Sequence, residues 1–186
     1  MRGVESDGPI PSLESLVSPA LERIGSLWES GRLALSQVYL AGRMCEELAL
    51  AVLPAGSHER IRDPSMALAV FEDYHTLGKR MVHAVLRAEG YAVADWGQVD
   101  RAMALERLRS ERVEILLLSC LMLSSALRIA QLREAIESEG LAIKLVVGGA
   151  PFRLDPDLWR EVGADAMGSS ASQVTAIVRG LAVRAG

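Results

Sequence analysis

Apolar residues along the chain follow two different regimes, separated by a polar stretch from Pro54 to Pro64. Before it the spacing is helical. Ser18 and Pro19 supply a capping hydroxyl and a proline suited to the first helical position, and Ala20, Ile24, Leu27 and Trp28 follow on one face as far as Ser30-Gly31. A second start at Ser36 opens a longer helix, with Val38, Ala41, Cys45, Leu48 and Val52 on one face, Leu40 and Met44 beside it, and Pro54 as the stop. A short helix over Ser12 to Val17 precedes both. After Pro64 short apolar runs alternate with helical patterns. Strands are predicted at Met66–Phe71, Tyr91–Asp95, Val113–Ser119, Ala142–Val147 and Ala164–Met167. Helices are predicted around Leu77–Leu86, Val99–Arg109, Ser124–Ser138, Asp157–Val162 and Ser170–Val183. The run Ile115-Leu116-Leu117-Leu118 has no polar alternation, as expected of a strand covered on both faces. Strand–helix repetition of this kind predicts an α/β fold: a five-stranded parallel sheet with right-handed crossovers and helices on both faces.

The expected organisation is a lead-in over residues 1–12, a small helical domain over 13–53, a linker over 54–64 and an α/β domain over 65–186. Half of the 186 residues are hydrophobic and only 4% are aromatic, which favours helices packed closely on strands over an all-β sandwich. A net charge of −4 with interspersed signs gives no basic stripe, so direct nucleic-acid binding is not expected. Cys45 and Cys120 lie far apart and outside any Cys-x-x-Cys or Cys/His cluster, as for reduced thiols. No apolar run approaches the ~18 residues of a membrane span, and the N-terminus lacks the pattern of a secretory signal. A cytoplasmic protein without membrane association is the expectation.

In a parallel sheet, ligands bind outside the carboxyl ends of the strands. The loops there carry Asp73-Tyr74-His75-Thr76-Leu77-Gly78, Ser119 to Ser125, Gly148-Gly149 and Gly168 to Ser172. Asp73 stands two residues before His75, where it can accept one ring N–H and leave the other nitrogen's lone pair for a metal. The chain lacks Gly-x-Gly-x-x-Gly at the first crossover, a Gly-x-x-x-x-Gly-Lys-Ser/Thr loop and a Gly-x-Ser-x-Gly elbow, which weakens nicotinamide, P-loop and hydrolase alternatives. His58 in the linker and His83 within a helix are expected to be solvated or packed. Lys79 and Arg80 are expected to meet solvent or a cofactor phosphate, and Cys120 to be a small core residue.

Taken together and in order, Asp73-x-His75-x-x-Gly78, Ser119-x-Leu121 and Gly148-Gly149 resemble the signature of the cobalamin-binding domain, and the helices in front resemble the cap of corrinoid methyl-carrier proteins. The resemblance runs from about Pro19 to the C-terminus and implies a Rossmann-like (flavodoxin-like) sheet domain behind a helical cap. It implies base-off cobalamin, with His75 as the lower cobalt ligand through Nε2, Asp73 holding the other ring nitrogen and Ser125 ending the proton relay. Thr76, Leu77 and Gly78 then belong to the cofactor-binding loop, and Ser119 and Leu121 lie along the nucleotide tail. Gly148 and Gly149 make room for that tail, Gly168 and Ser169 close its far end, and Val38 and Met44 come from the helix that lies over cobalt.

The implied function is to shuttle a methyl group between a substrate-specific methyltransferase and an acceptor methyltransferase, with a reductive activator and a homodimer through the cap helices as further partners. The alternative is a cobalamin- or haem-based light or redox sensor controlling a transcription regulator. The stretch His75-Thr76-Leu77-Gly78 also looks like cobalamin photosensors and redox antirepressors and keeps the sensor in play, and two departures from the family pattern stand beside it. Ten and eleven residues after Trp28, where photosensors carry Glu-His, the chain has Val38-Tyr39, and a threonine that several relatives place four after the Ser of Ser-x-Leu is Leu123.

Overall fold

The computed structural model describes residues 61–183 throughout and, before them, residues 15–16, 19–20, 23–24, 27, 30–34, 36–37, 40–41, 44, 47–48 and 51. The chain divides into two compact units, Met1–Pro54 and Ala55–Gly186.

In the first unit the described residues are helical on either side of a turn around Ser30 and Gly31. Gly31 has φ +69°, the Ser30 hydroxyl donates to the Leu27 carbonyl at 3.0 Å, and the Gln37 side chain accepts from the Ala34 amide at 2.8 Å at the start of the next helix. Leu40, Met44 and Leu48, spaced at i, i+4 and i+8, are all exposed. Val38, expected to share a role with Met44, lies outside the described residues.

The second unit runs β1 (Ile61–Phe71), α1 (Leu77–Ala88), β2 (Tyr91–Val99), α2 (Arg101–Ser110), β3 (Ile115–Ser119), α3 (Leu123–Ser138), β4 (Lys144–Gly148), α4 (Ala150–Leu154), α5 (Leu158–Glu161), β5 (Ala166–Gly168), a 3-10 turn (Ala171–Gln173) and α6 (Val174–Val183). All strand pairs are parallel, in the order β2-β1-β3-β4-β5. This is the flavodoxin-like order, which reverses between β1 and β3 and so opens a crevice at their carboxyl ends.

Alternating strand residues build the two faces. Ala67, Ala69, Phe71, Leu116, Leu118, Leu145 and Val147 join one apolar cluster with Leu105, Leu108, Ala126, Ile129, Leu132, Phe152 and Leu158 from α2 to α5. The opposite face presents Leu68, Val70, Leu117 and Val146 to α1 and α6, where Met81, Val85, Val174 and Val178 are buried.

Several boundaries differ from expectation for local reasons. β1 begins at Ile61, inside the stretch read as linker, and pairs Ile61 with Tyr91 before an irregularity restores register at Met66. β2 continues past Asp95 to Val99 because a bulge opposite Leu68 and Ala69, with Gly97 at φ +70°, turns the strand without ending it. The next helix therefore starts at Arg101 rather than Val99, capped by Asp100, whose carboxylate accepts from the Met103 amide at 2.8 Å. The single helix expected near Asp157 is preceded by another, α4, which begins just after Gly149 with Pro151 in its first turn.

Candidate cofactor-binding crevice

The loop after β1 and the loop after β3 form the two banks of the crevice, and one carboxylate ties them together. Asp73 is almost fully buried. Its Oδ1 accepts from His75 Nδ1 at 2.6 Å and from the amides of Tyr74 and His75 at 2.6 and 3.2 Å. Its Oδ2 accepts from the Leu121 and Met122 amides across the crevice at 2.7 and 2.9 Å. Burial alone would raise the carboxyl pKa, but the His75 ring and the three backbone amides of Met122, Leu121 and Tyr74 outweigh it and hold the group at about 2. Asp73 is thus an anion at neutral pH, so Nδ1 of His75 carries the proton of their hydrogen bond and Nε2 is the ring nitrogen not engaged by Asp73. The His75 side chain is 55% exposed. Tyr74, Leu121 and Met122, whose amides meet the same carboxylate, have exposed side chains.

A metal held by this one imidazole would need the rest of its ligands from elsewhere, and an apolar rim suits a flat macrocycle that brings them. Beside the histidine, strand register aligns Val70 with Ser119, Ser119 with Gly148 and Gly148 with Gly168. The carboxyl ends of β3, β4 and β5 therefore form a row of minimal side chains on the α1/α6 face. Gly78, in the first turn of α1, comes so near this row that a Cβ there would lie 3.1 Å from Ser119 Oγ. On α6, which packs against β5, the buried hydroxyl of Thr175 has no hydrogen-bond partner. A lane without bulk fits a slender group such as a nucleotide tail.

Ser125, Gly149 and Lys79 are each placed by contacts within the protein. Ser125 is buried, but its hydroxyl donates to the Glu72 carbonyl at 2.7 Å and not to Asp73, whose carboxylate is occupied by the amides named above. Gly149 answers to the protein itself: its φ is +121°, and a Cβ would come within 1.8 Å of the Cys120 carbonyl oxygen. Lys79 is not at the solvent surface: it is buried and ion-paired with Asp95, which also accepts from the Gly97 amide at 2.8 Å.

The remaining residues are placed simply. Thr76 precedes α1 and Leu77 opens it, both half-buried; Leu121 reaches Asp73 through its amide. Gly148 is tight, with a Cβ position 3.2 Å from the Gly168 carbonyl oxygen. Ser169 uses its amide and hydroxyl on the Gln173 side chain at 3.0 and 3.1 Å. Met44 is exposed in the first unit. Burial, chiefly, and the Asp73 charge push the Cys120 thiol up to about 12, as for an inert core residue.

Two residues had no role in the sequence reading. Glu72 is the only non-glycine with positive φ among the described residues, at +46°. For a side-chain-bearing residue this left-handed conformation costs about 1 kcal/mol. Arg128 pairs with its carboxylate.

In an open parallel α/β domain ligands bind at the topological switch point, and here one histidine is raised there. The profile of the B12 binding domain matches residues 65–178, and the chain belongs to that family, whose cofactor is the corrinoid cobalamin. It is similar to trimethylamine corrinoid protein 1 of Methanosarcina acetivorans, with 27% identity over 179 residues covering 92% of this chain and 82% of that one. The solved structure of the Methanosarcina barkeri monomethylamine corrinoid protein shares the fold, with a TM-score of 0.75 and 24% identity over 95% of this chain and 84% of that one. So does a chain of the methanol:cobalamin methyltransferase complex of the same organism, with a TM-score of 0.53 and 22% identity over 92% and 68%. Among the described residues no helix is long and apolar enough to cross a membrane.

Proposed function

We propose that the protein is a corrinoid carrier in a methyltransferase system, holding base-off cobalamin with His75 as the lower ligand of cobalt. The observation that carries this is the His75 Nδ1–H donated to Asp73, which leaves Nε2 as the free donor atom at an apolar rim. When bound, cobalamin supplies a metal centre able to accept and release a methyl group. His75 would supply Nε2 to the metal, and Asp73 keeps the ring in one orientation through Nδ1. Ser119, Gly148 and Gly168 leave space for the displaced nucleotide, and Thr76, Leu77, Gly78, Leu121 and Ser169 border the same crevice.

One solved neighbour is a chain of a methanol:cobalamin methyltransferase complex, and the partners of this reading are methyltransferases, one loading and one unloading the methyl group, with a reductive activator to restore oxidised cofactor. The exposed Leu40, Met44 and Leu48 of the first unit are apolar positions through which a second copy or an enzyme would bind.

The test is reconstitution with methylcobalamin followed by visible spectroscopy in the dark and in light, before and after addition of candidate methyltransferases. Methyl loss only when an acceptor enzyme is present supports the carrier, whereas a light-driven change of assembly indicates a sensor. His75→Ala is expected to move the bound Co(III) spectrum away from the histidine-ligated form, and an unchanged spectrum would refute the ligand assignment.

A further inference from the structure

Asp73 and His75 hang from a residue that resists its own backbone conformation. Glu72 joins β1 to the loop at φ +46°, and three contacts hold it there. Its amide donates to the Val99 carbonyl at 2.9 Å, its carbonyl accepts from the Ser125 hydroxyl at 2.7 Å, and its carboxylate is paired with Arg128 Nε. Arg128 also approaches Ser125 Oγ, with Nη2 at 3.5 Å. Ser125 and Arg128 lie one helical turn apart in α3, whose preceding residues Leu121 and Met122 donate to Asp73. The same helix therefore grips the loop twice: through Glu72 and through Asp73.

We propose that Glu72, Ser125 and Arg128 form a clamp that aims the Asp73–His75 pair, with Ser125 acting through the Glu72 carbonyl and not as the next member of a proton chain from Asp73. They are positioning residues, since none of them touches the imidazole. Reversal of the chain at Glu72 sets the direction in which Asp73 leaves β1. Releasing either side-chain contact lets Glu72 relax toward negative φ, and the carboxylate of Asp73 then swings away from the amides across the crevice. The clamp stands on protein geometry alone; its consequence for metal ligation rests on His75 being the cobalt ligand.

The distinguishing feature is how the effects combine. Glycine adopts positive φ without strain, so a chain with Glu72→Gly needs no clamp. Amide hydrogen exchange of the full-length, cofactor-free protein reads this directly at Leu121 and Met122. Ser125→Ala and Arg128→Gln, each made alone, are expected to speed exchange at these two amides about tenfold or more, with the central-strand amide of Leu117 unchanged. Made in the Glu72→Gly background, the same substitutions are expected to change it by less than about twofold. Arg128→Lys, which keeps a cation opposite Glu72, should restore part of the protection.

Equal effects of Ser125→Ala in both backgrounds would overturn the clamp, as would silence of Arg128→Gln at both amides. Should Ser125→Ala fail to fold alone, Ser125→Cys with and without Glu72→Gly decides the same question, because the Glu72 carbonyl that Ser125 meets is present in both backgrounds. Spectra of the same variants with aquocobalamin form the second readout. The clamp predicts loss of the histidine-ligated fraction in Ser125→Ala and Arg128→Gln and its recovery on adding Glu72→Gly. If the amides respond as expected but the unaltered protein shows no histidine-ligated cobalt, the clamp is upheld and the ligand assignment falls. If cobalt is histidine-ligated and the amides do not respond, the clamp falls.

Discussion

Replacing Asp73 with Asn tests the electrostatics of the crevice most directly. The carboxylate serves five N–H donors with two oxygens, at 2.6 to 3.2 Å. Asn offers one acceptor oxygen and turns an NH2 group toward the other donors, so either the Leu121 and Met122 amides or the Tyr74 and His75 groups lose their partner. With its folded-state pKa at about 2 against an ordinary 3.8, the native charge contributes about 2 kcal/mol at neutral pH, taking about 1.4 kcal/mol per pKa unit. The direction follows from the depressed pKa. The contribution is complete above the unfolded value of 3.8, declines as pH falls between 3.8 and about 2, and is gone once both states are protonated. Urea unfolding of cofactor-free wild type and Asp73→Asn at a series of pH values should show a stability gap of about 2 kcal/mol at pH 5 to 7 that narrows steadily below pH 4. A gap that stays constant down to about pH 2.5, or that is under about 0.5 kcal/mol at pH 7, would refute the assignment of a charged, multiply bonded Asp73.

Other consequences are equally specific. Gly149→Ala should cost about 3 kcal/mol or more, or prevent folding, because the new methyl would overlap the Cys120 carbonyl at a backbone angle alanine resists; thermal unfolding measures it. Asp95→Asn should destabilise by about 3 kcal/mol and more than Lys79→Met does, since it strands a buried ammonium, whereas the reverse change leaves a carboxylate that already reaches solvent; paired urea titrations compare them. In a Cys45→Ser background, Cys120 should stay unmodified by a thiol reagent at pH 8 in folded protein and react on unfolding, as its pKa of about 12 and burial require.

Much of the sheet domain was legible because its signals are local. Ile115 to Leu118 are apolar without alternation, and they form the centre of β3, buried between two helical layers. The loops bearing His75, Ser119, Gly148 and Gly168 could be assigned to one edge from strand direction alone, and register then aligned Ser119, Gly148 and Gly168. What escaped depends on long-range contacts. Lys79 at the opening of a helix looks solvent-bound until Asp95, on a neighbouring strand, is seen to meet it. Glu72 contradicts the usual preference for glycine at positive φ, so only Ser125 and Arg128, more than fifty residues away, explain how it is held. The bulge at Gly97 hid the last part of β2, because a glycine after Trp96 reads as a strand end until the pairing to Ala69 is known.

One consequence follows from Asp73 gripping both banks of the switch point. The ring of His75 and the loop that exposes Leu121 and Met122 are two arms of a lever with that carboxylate as its fulcrum. A tilt of the imidazole as its outer nitrogen gains or loses a bond would be felt at a hydrophobic surface a few residues away. If His75 ligates cobalt as proposed, that surface is tied to the metal through a single carboxylate.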